Sequence, residues 1–212
     1  MAPSSDAGVL NISGNWIMDK TRSTDLDSVF KLQGIGWITR KAVTASTVTL
    51  TITQTAELDD STAGSTELIT LQQVLTGGFG SGPERRPLTW ADLKHNDTLF
   101  GSVIIRSRYV TGVKDSGCRV RPVLECQTQV TGSDIESFLT EAVVMGQNTH
   151  ATEEYIEKAF IQDFVCSVNS GWTAEQLWAL ETIGEEEYLT RKVVVAKGTS
   201  NECARVFYKR AQ

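Results

Sequence analysis

Histidine is scarce. Only His95 and His150 occur in 212 residues, which excludes a zinc site built from clustered Cys and His ligands. A Ser-His-Asp arrangement would have to use His95, inside the polar stretch Lys94-His95-Asn96-Asp97. The chain also lacks a Gly-x-Ser-x-Gly elbow, an HExxH helix and a dinucleotide fingerprint leading into a βαβ unit. Its four cysteines, Cys118, Cys126, Cys166 and Cys203, form no CxxC pair and are read as free thiols. No apolar run is long enough to span a bilayer, so no membrane partner is expected. Basic excess is missing as well: 20 Lys and Arg against 26 Asp and Glu give a net charge of -6, which argues against non-specific binding to nucleic acid. The opening MAPSSDAGVLNISG has neither a basic nor an apolar region of a secretory signal. A cytoplasmic location is therefore expected. Residues 1–11 read as a disordered lead-in and 12–212 as a single domain. No metal and no cofactor is expected.

What is present is a succession of strands with little helix. Ile12 to Met18 is a short apolar strand carrying Trp16. Thr24, with Asp27 three positions on, reads as a helix start. Leu26, Val29 and Phe30 share one face of that helix, and Gly34 sits where a left-handed cap would end it. A second short helix is expected from about Ile35 to Ala45, with Ile38 and Ala42 on one face. Next, Thr47 to Thr55 sets Val48, Leu50 and Ile52 against a ladder of threonines, the pattern of a half-buried strand. A turn over Asp59 to Ser65 leads it into a partner strand, Glu67 to Thr76.

Gly77 to Pro83 reads as a hairpin loop, because no helix follows to make it a phosphate cradle. Arg85 to Leu93, Leu99 to Val110 and Cys118 to Val130 read as strands, the last edged at Pro122. Arg106 and Arg108 share a strand face, which is either solvated outer surface or a place for an anion. Ser133-Asp134-Ile135-Glu136 opens an amphipathic helix running to Met145. Thr152 to Ser170 fits both helical and strand periods; the turn Asn169-Ser170-Gly171 decides for strand over most of it. Thr173 to Ile183, Glu186 to Lys197 and Glu202 to Arg210 then follow as three strands on short turns. With no crossover helices, the sheet is antiparallel and can close as an up-and-down barrel.

Strand, two short helices, then a run of strands is an order similar to that of intracellular fatty-acid-binding proteins. Gly14 and Trp16, the Gly34-Ile35-Gly36 step and Arg40-Lys41 carry the match. The resemblance implies an all-β calycin barrel with the helix pair as a lid; the inserted helix near 133–145 has no counterpart in that family. The terminal strand, Cys203 to Arg210, also resembles the family's end, where an Arg-x-Tyr pair and a second arginine hold a carboxylate. Arg205 matches the arginine, Phe207 stands at the tyrosine position, and no arginine occurs near Trp178 to Leu180. Closer in character are the fungal lipocalin-like proteins. They share Gly34 to Trp37, Leu99 to Gly101 followed by Arg106 to Arg108, and Ser170 to Ala174. Some lipocalin-like proteins of fungal biosynthetic clusters are cofactor-free cyclases.

Two functions follow from that resemblance. One is a barrel holding a hydrophobic small molecule, with Trp16, Met18, Phe30, Ile38, Arg106, Trp178, Arg205 and Phe207 as candidate contacts. The other is a cofactor-free cyclase or isomerase of a polyketide or terpenoid, with Arg205 or Tyr155 donating to a developing oxyanion. One arginine in place of three polar anchors suits a neutral or weakly polar ligand. A buried bridge from Arg205 to Glu181 or Glu202 is its purely structural reading. A barrel filled by its own side chains is a third outcome. The inserted helix would pack on the barrel, close one end of it, or form a homodimer contact.

Overall fold

A computed structural model of the chain describes residues 8–59, 64–77, 80, 82–129, 133–145 and 155–211. A 3-10 turn (Val9–Asn11) leads into β1 (Gly14–Met18), followed by α1 (Asp27–Leu32) and α2 (Trp37–Ala45). Six strands come next: β2 (Val48–Asp59), β3 (Gly64–Leu75), β4 (Glu84–Pro87), β5 (Leu93–Asp97), β6 (Gly101–Lys114) and β7 (Arg119–Pro122). After α3 (Ser133–Thr140) come β8 (Val143–Val144), β9 (Tyr155–Ser167), β10 (Trp172–Ile183), β11 (Glu186–Lys197) and β12 (Ser200–Arg210). All twelve strands join one sheet in the order β4-β3-β2-β1-β12-β11-β10-β9-β6-β7-β8, with β5 on β6, and every pairing is antiparallel. The sheet curls into an all-β barrel. None of the described helices is long and apolar enough to cross a membrane.

Two departures from a simple up-and-down order shape the molecule. First, β6 pairs directly with β9, so β7 and β8 extend the sheet from the other edge of β6 instead of standing between the two. Second, β4 has no ladder to β5 or β6; the seam there is joined by the bond from Trp90 N to Ser107 O and by side-chain charges.

Register fixes which residues face the lumen. Trp16 stands opposite Leu50 and Arg210, Trp178 opposite Ile161 and Arg191, and Leu189 opposite Tyr208. The apolar side chains among them meet in one core cluster that spans the wall from β3 round to β9. The expected alternation of Val48, Leu50 and Ile52 against threonines is present, with all three apolar residues buried in that cluster.

Each end of the barrel is closed by a different device. At one end α1 lays Val29 against Val103, Trp172, Val195 and Ala204, and Phe30, Phe100 and Trp172 form an aromatic run at 6.2 and 5.6 Å. Gly34, at φ +89°, ends α1 as expected; its lack of a Cβ makes that left-handed conformation cheap. Thr24 does not cap α1. It lies beside β12, donating its N–H to Arg205 O and accepting from Arg205 N through its hydroxyl. At the other end Val9 and Ile12 are fully buried, held by Gln54, whose amide donates to Val9 O and accepts from Ile12 N. Within the expected lead-in, residues 8–11 form a turn with Gly8 and Val9 buried and Leu10 and Asn11 exposed, and residues 1–7 lie outside the described residues.

Several boundaries differ from expectation. The stretch 85–93 divides into β4 and β5, and of 118–130 only β7 forms a ladder. The expected helix to Met145 stops at Thr140, and the chain then forms β8 against β7. Part of the Gly77 to Pro83 loop and residues 152–154 fall outside the described residues. Residues 123–129 and 133–145 lie over the outer face of the sheet. There Ile135, Leu139, Val143 and Met145 bury a second apolar cluster with Phe160, Leu177 and Val194.

Candidate functional site

Polar side chains are concentrated at mid-height inside the lumen. Ser107, Asp163 and Gln176 stand side by side on β6, β9 and β10. Asp163 accepts from Ser107 Oγ at 2.5 Å, from Trp178 Nε1 at 2.8 Å and from Arg86 Nη1 at 2.5 Å. Arg86 also donates to both oxygens of Glu84, at 2.6 and 3.1 Å. Burial opposes the Arg86 charge, but Asp163 and Glu84 outweigh it and raise its pKa. His95 Nε2 lies 3.9 Å from Glu84 Oε2, beyond hydrogen-bond reach. Towards the plugged end, Lys158 reaches from β9 to Glu67 on β3 at 2.8 Å and covers the Tyr109 ring. Burial, reinforced by Glu67, pushes the Tyr109 hydroxyl up to about 12.

Among the described residues six buried side-chain polar atoms have no hydrogen-bond partner, and four of them sit at lumen-facing positions. They are His95 Nε2 on β5, Trp172 Nε1 and Gln176 Oε1 on β10, and Arg191 Nε on β11. Arg191 has its guanidinium over the Trp178 ring at 4.9 Å and no carboxylate partner among the described residues. Leaving a buried donor or acceptor unmade costs about 1–3 kcal/mol. These four atoms are therefore where the interior is short of partners, and a molecule entering the lumen can supply them.

Of the residues expected to touch a ligand, Trp16, Met18 and Trp178 do face the lumen, and Phe30 joins the lid's aromatic run. The others do not. Arg205 and Phe207 are displaced by one position from the inward set Ala204, Val206 and Tyr208, so both lie on the outer face. There Arg205 Nη2 donates to Glu181 Oε2 at 2.5 Å, the bridge foreseen as its structural role, and Phe207 packs edge-on against Tyr188. Arg106 also points outward, donating to Asp92 at 2.5 Å with its guanidinium over Phe164. Ile38 is 77% exposed on α2, a helix without a buried residue. Tyr155 is 55% exposed at the start of β9.

Arg86, Asp163, Trp172, Gln176 and Arg191 were not singled out by sequence reasoning. On β10 and β11 both faces are buried, one by the lumen and one by the cover formed by 123–129 and 133–145, so period-two alternation is lost. A signal was nonetheless present. Gln176 directly precedes the apolar run Leu177 to Leu180, and Arg191 with Lys192 precedes Val193 to Ala196, where a buried polar side chain without a partner is costly.

No protein-family model matches the sequence, and no curated protein matches it. Solved structures do. The wild-type fluorescent protein UnaG aligns with a TM-score of 0.51 and 12% identity, over 94% of this chain and 97% of that one. A mutant of the REP1-NXSQ fatty acid transporter aligns at 0.46 and 11% identity, over 96% and 100%. The fatty-acid-binding protein of Manduca sexta aligns at 0.42 and 12% identity, over 93% and 97%. At 12% identity the likeness to UnaG is one of fold, and it agrees with the antiparallel barrel read from the strand order.

Proposed function

We propose that the protein holds a hydrophobic small molecule in the barrel lumen, its polar group meeting Gln176 and Arg191. The observation that carries this reading is the set of four buried, unpartnered polar atoms on the concave face. An apolar wall with a few placed polar groups is the usual composition of a small-molecule site. The four cysteines are free, which suits a reducing compartment such as the cytoplasm. The cyclase alternative gains nothing from the two residues put forward for it, since Arg205 is tied to Glu181 on the outer face and Tyr155 is mostly exposed.

Native mass spectrometry of the protein from its own host tests the proposal. A single co-purifying apolar molecule, released on denaturation, is the expected result. A protein that is empty and also refuses every apolar fluorophore would be a barrel filled by its own side chains.

A further inference from the structure

The cover on the outer face forms a cavity of its own. It measures about 510 Å³ and lies between residues 124–129 and α3, within the roughly 300–1,000 Å³ usual for small-molecule sites. The strap that walls it is tied to the sheet: Glu175 accepts from Gln127 N and Thr128 N, and Gln162 Nε2 donates to Glu125 O at 2.9 Å. Glu175 and Gln162 point away from the lumen, so this space is separate from the one inside the barrel.

The lining is acidic and holds no basic side chain. Glu125 and Glu136 both line it, and neither carboxylate has an ion-pair partner among the described residues. Leu124 and Cys126, both half-buried, supply an apolar surface between them. Burial first, then Glu175 and Glu136, push the Cys126 thiol up to about 11, which marks the potential here as negative. Two exposed carboxylates alone are ordinary surface. Thr128 adds something else: it lines the cavity at only 4% exposure, yet its hydroxyl has no hydrogen-bond partner, the neighbouring Glu175 included. A buried hydroxyl left unpaired is costly, and its oxygen can accept from any donor that enters.

We propose that this cavity is a second binding site, independent of the lumen, for a small organic cation: an amine or guanidine on an apolar stem. The cationic head donates to Glu125, Glu136 and the Thr128 hydroxyl, and the stem lies on Leu124 and Cys126. An anion would meet two uncompensated carboxylates, and a neutral molecule would leave them as they are.

Amide NMR titration of the full chain with three probes of one stem tests this: hexylammonium, hexanol and hexanoate. Saturable hexylammonium shifts confined to the amides of 124–129 and 135–137 are expected, at least roughly tenfold tighter than for hexanol, with none there from hexanoate. Added salt should weaken the binding. The double variant Glu125→Gln/Glu136→Gln, checked for fold by circular dichroism, should weaken it at least roughly tenfold, and Thr128→Val roughly 3–10-fold. Glu185→Gln/Glu187→Gln removes the same charge at the β10–β11 turn and should leave it unchanged. Hexanol binding as tightly as hexylammonium, shifts centred elsewhere, no shifts at all, or equal losses in the two double variants would each overturn the proposal. None of those results bears on the lumen.

Discussion

Arg86 Nη1 donates to Asp163 Oδ2 at 2.5 Å, joining β4 to β9 where the sheet has no ladder to close it. Both side chains are almost fully buried, so the pair acts as a staple inside the seam. Removing one partner strands the other charge, and Arg86→Met should cost about 3–5 kcal/mol. Adding Asp163→Leu should cost less than the sum of the singles, by about 0.5–3 kcal/mol, because the two share one interaction. Urea denaturation of the four proteins gives this cycle. Strict additivity would show that the seam does not depend on the bridge.

Glu175 gives a pH signature of unusual sign. It is fully buried on the outer face, where it accepts from Gln127 N at 2.9 Å, Thr128 N at 3.0 Å and the Gln162 amide at 2.5 Å. Burial raises its pKa above the ordinary carboxylate value, and those hydrogen bonds offset only part of the rise. The folded state then holds the proton more tightly than the unfolded chain. The stabilisation is full below the unfolded value and is lost as pH rises through the folded one. Wild type should accordingly lose stability relative to Glu175→Gln as pH rises from 4.5. Thermal melts of both proteins across that range provide the check, and parallel curves would contradict the assignment.

Lys192 offers an asymmetric pair of substitutions. It is only 2% exposed beneath the outer cover, with Nζ 3.2 Å from both Glu141 O and Glu141 Oε2 and over the Phe138 ring. Burial lowers its pKa. Lys192→Met keeps the volume and removes the buried charge, so it should be close to neutral or stabilising. Glu141→Ala leaves the ammonium with the carbonyl alone and should cost about 1–3 kcal/mol. Equal losses in both variants, read from urea midpoints, would mean that the ion pair itself stabilises the cover.

The legible parts of the fold are those where one face meets water. Val48, Leu50 and Ile52 alternate with threonines because β2 has a solvent face, and their inward direction was readable. Gly34 ended α1 for a local reason, its backbone angle. The candidate site lies where that logic stops. Residues 123–129 and 133–145 cover the outer faces of β10 and β11, so each face carries buried apolar and polar residues together (Leu177 and Glu175 outward, Ala174 and Gln176 inward) and the register has no sequence marker. A one-residue slip on β12 then exchanged Arg205 and Phe207 for Val206 and Tyr208. The staple from Arg86 to Asp163 spans 77 residues, and no local pattern encodes such a pair.

That slip can be tested in solution. Arg205 bridges Glu181, which is itself nearly buried and also accepts from the Thr190 hydroxyl. Arg205→Ala should lose about 1–3 kcal/mol through the stranded carboxylate while leaving the affinity for an apolar fluorescent probe unchanged. Phe207→Tyr places a hydroxyl on the outer face, against the Tyr188 ring and near the Arg205 guanidinium, so it too should leave binding unaltered. Arg191→Leu should behave in the opposite way, weakening the probe with little loss of stability, because its guanidinium has no carboxylate partner to abandon. Probe titration and urea denaturation of the three variants separate the two faces of the wall. If Arg205→Ala lost the probe and Arg191→Leu kept it, the inward register of β11 and β12 would be the opposite of the one described.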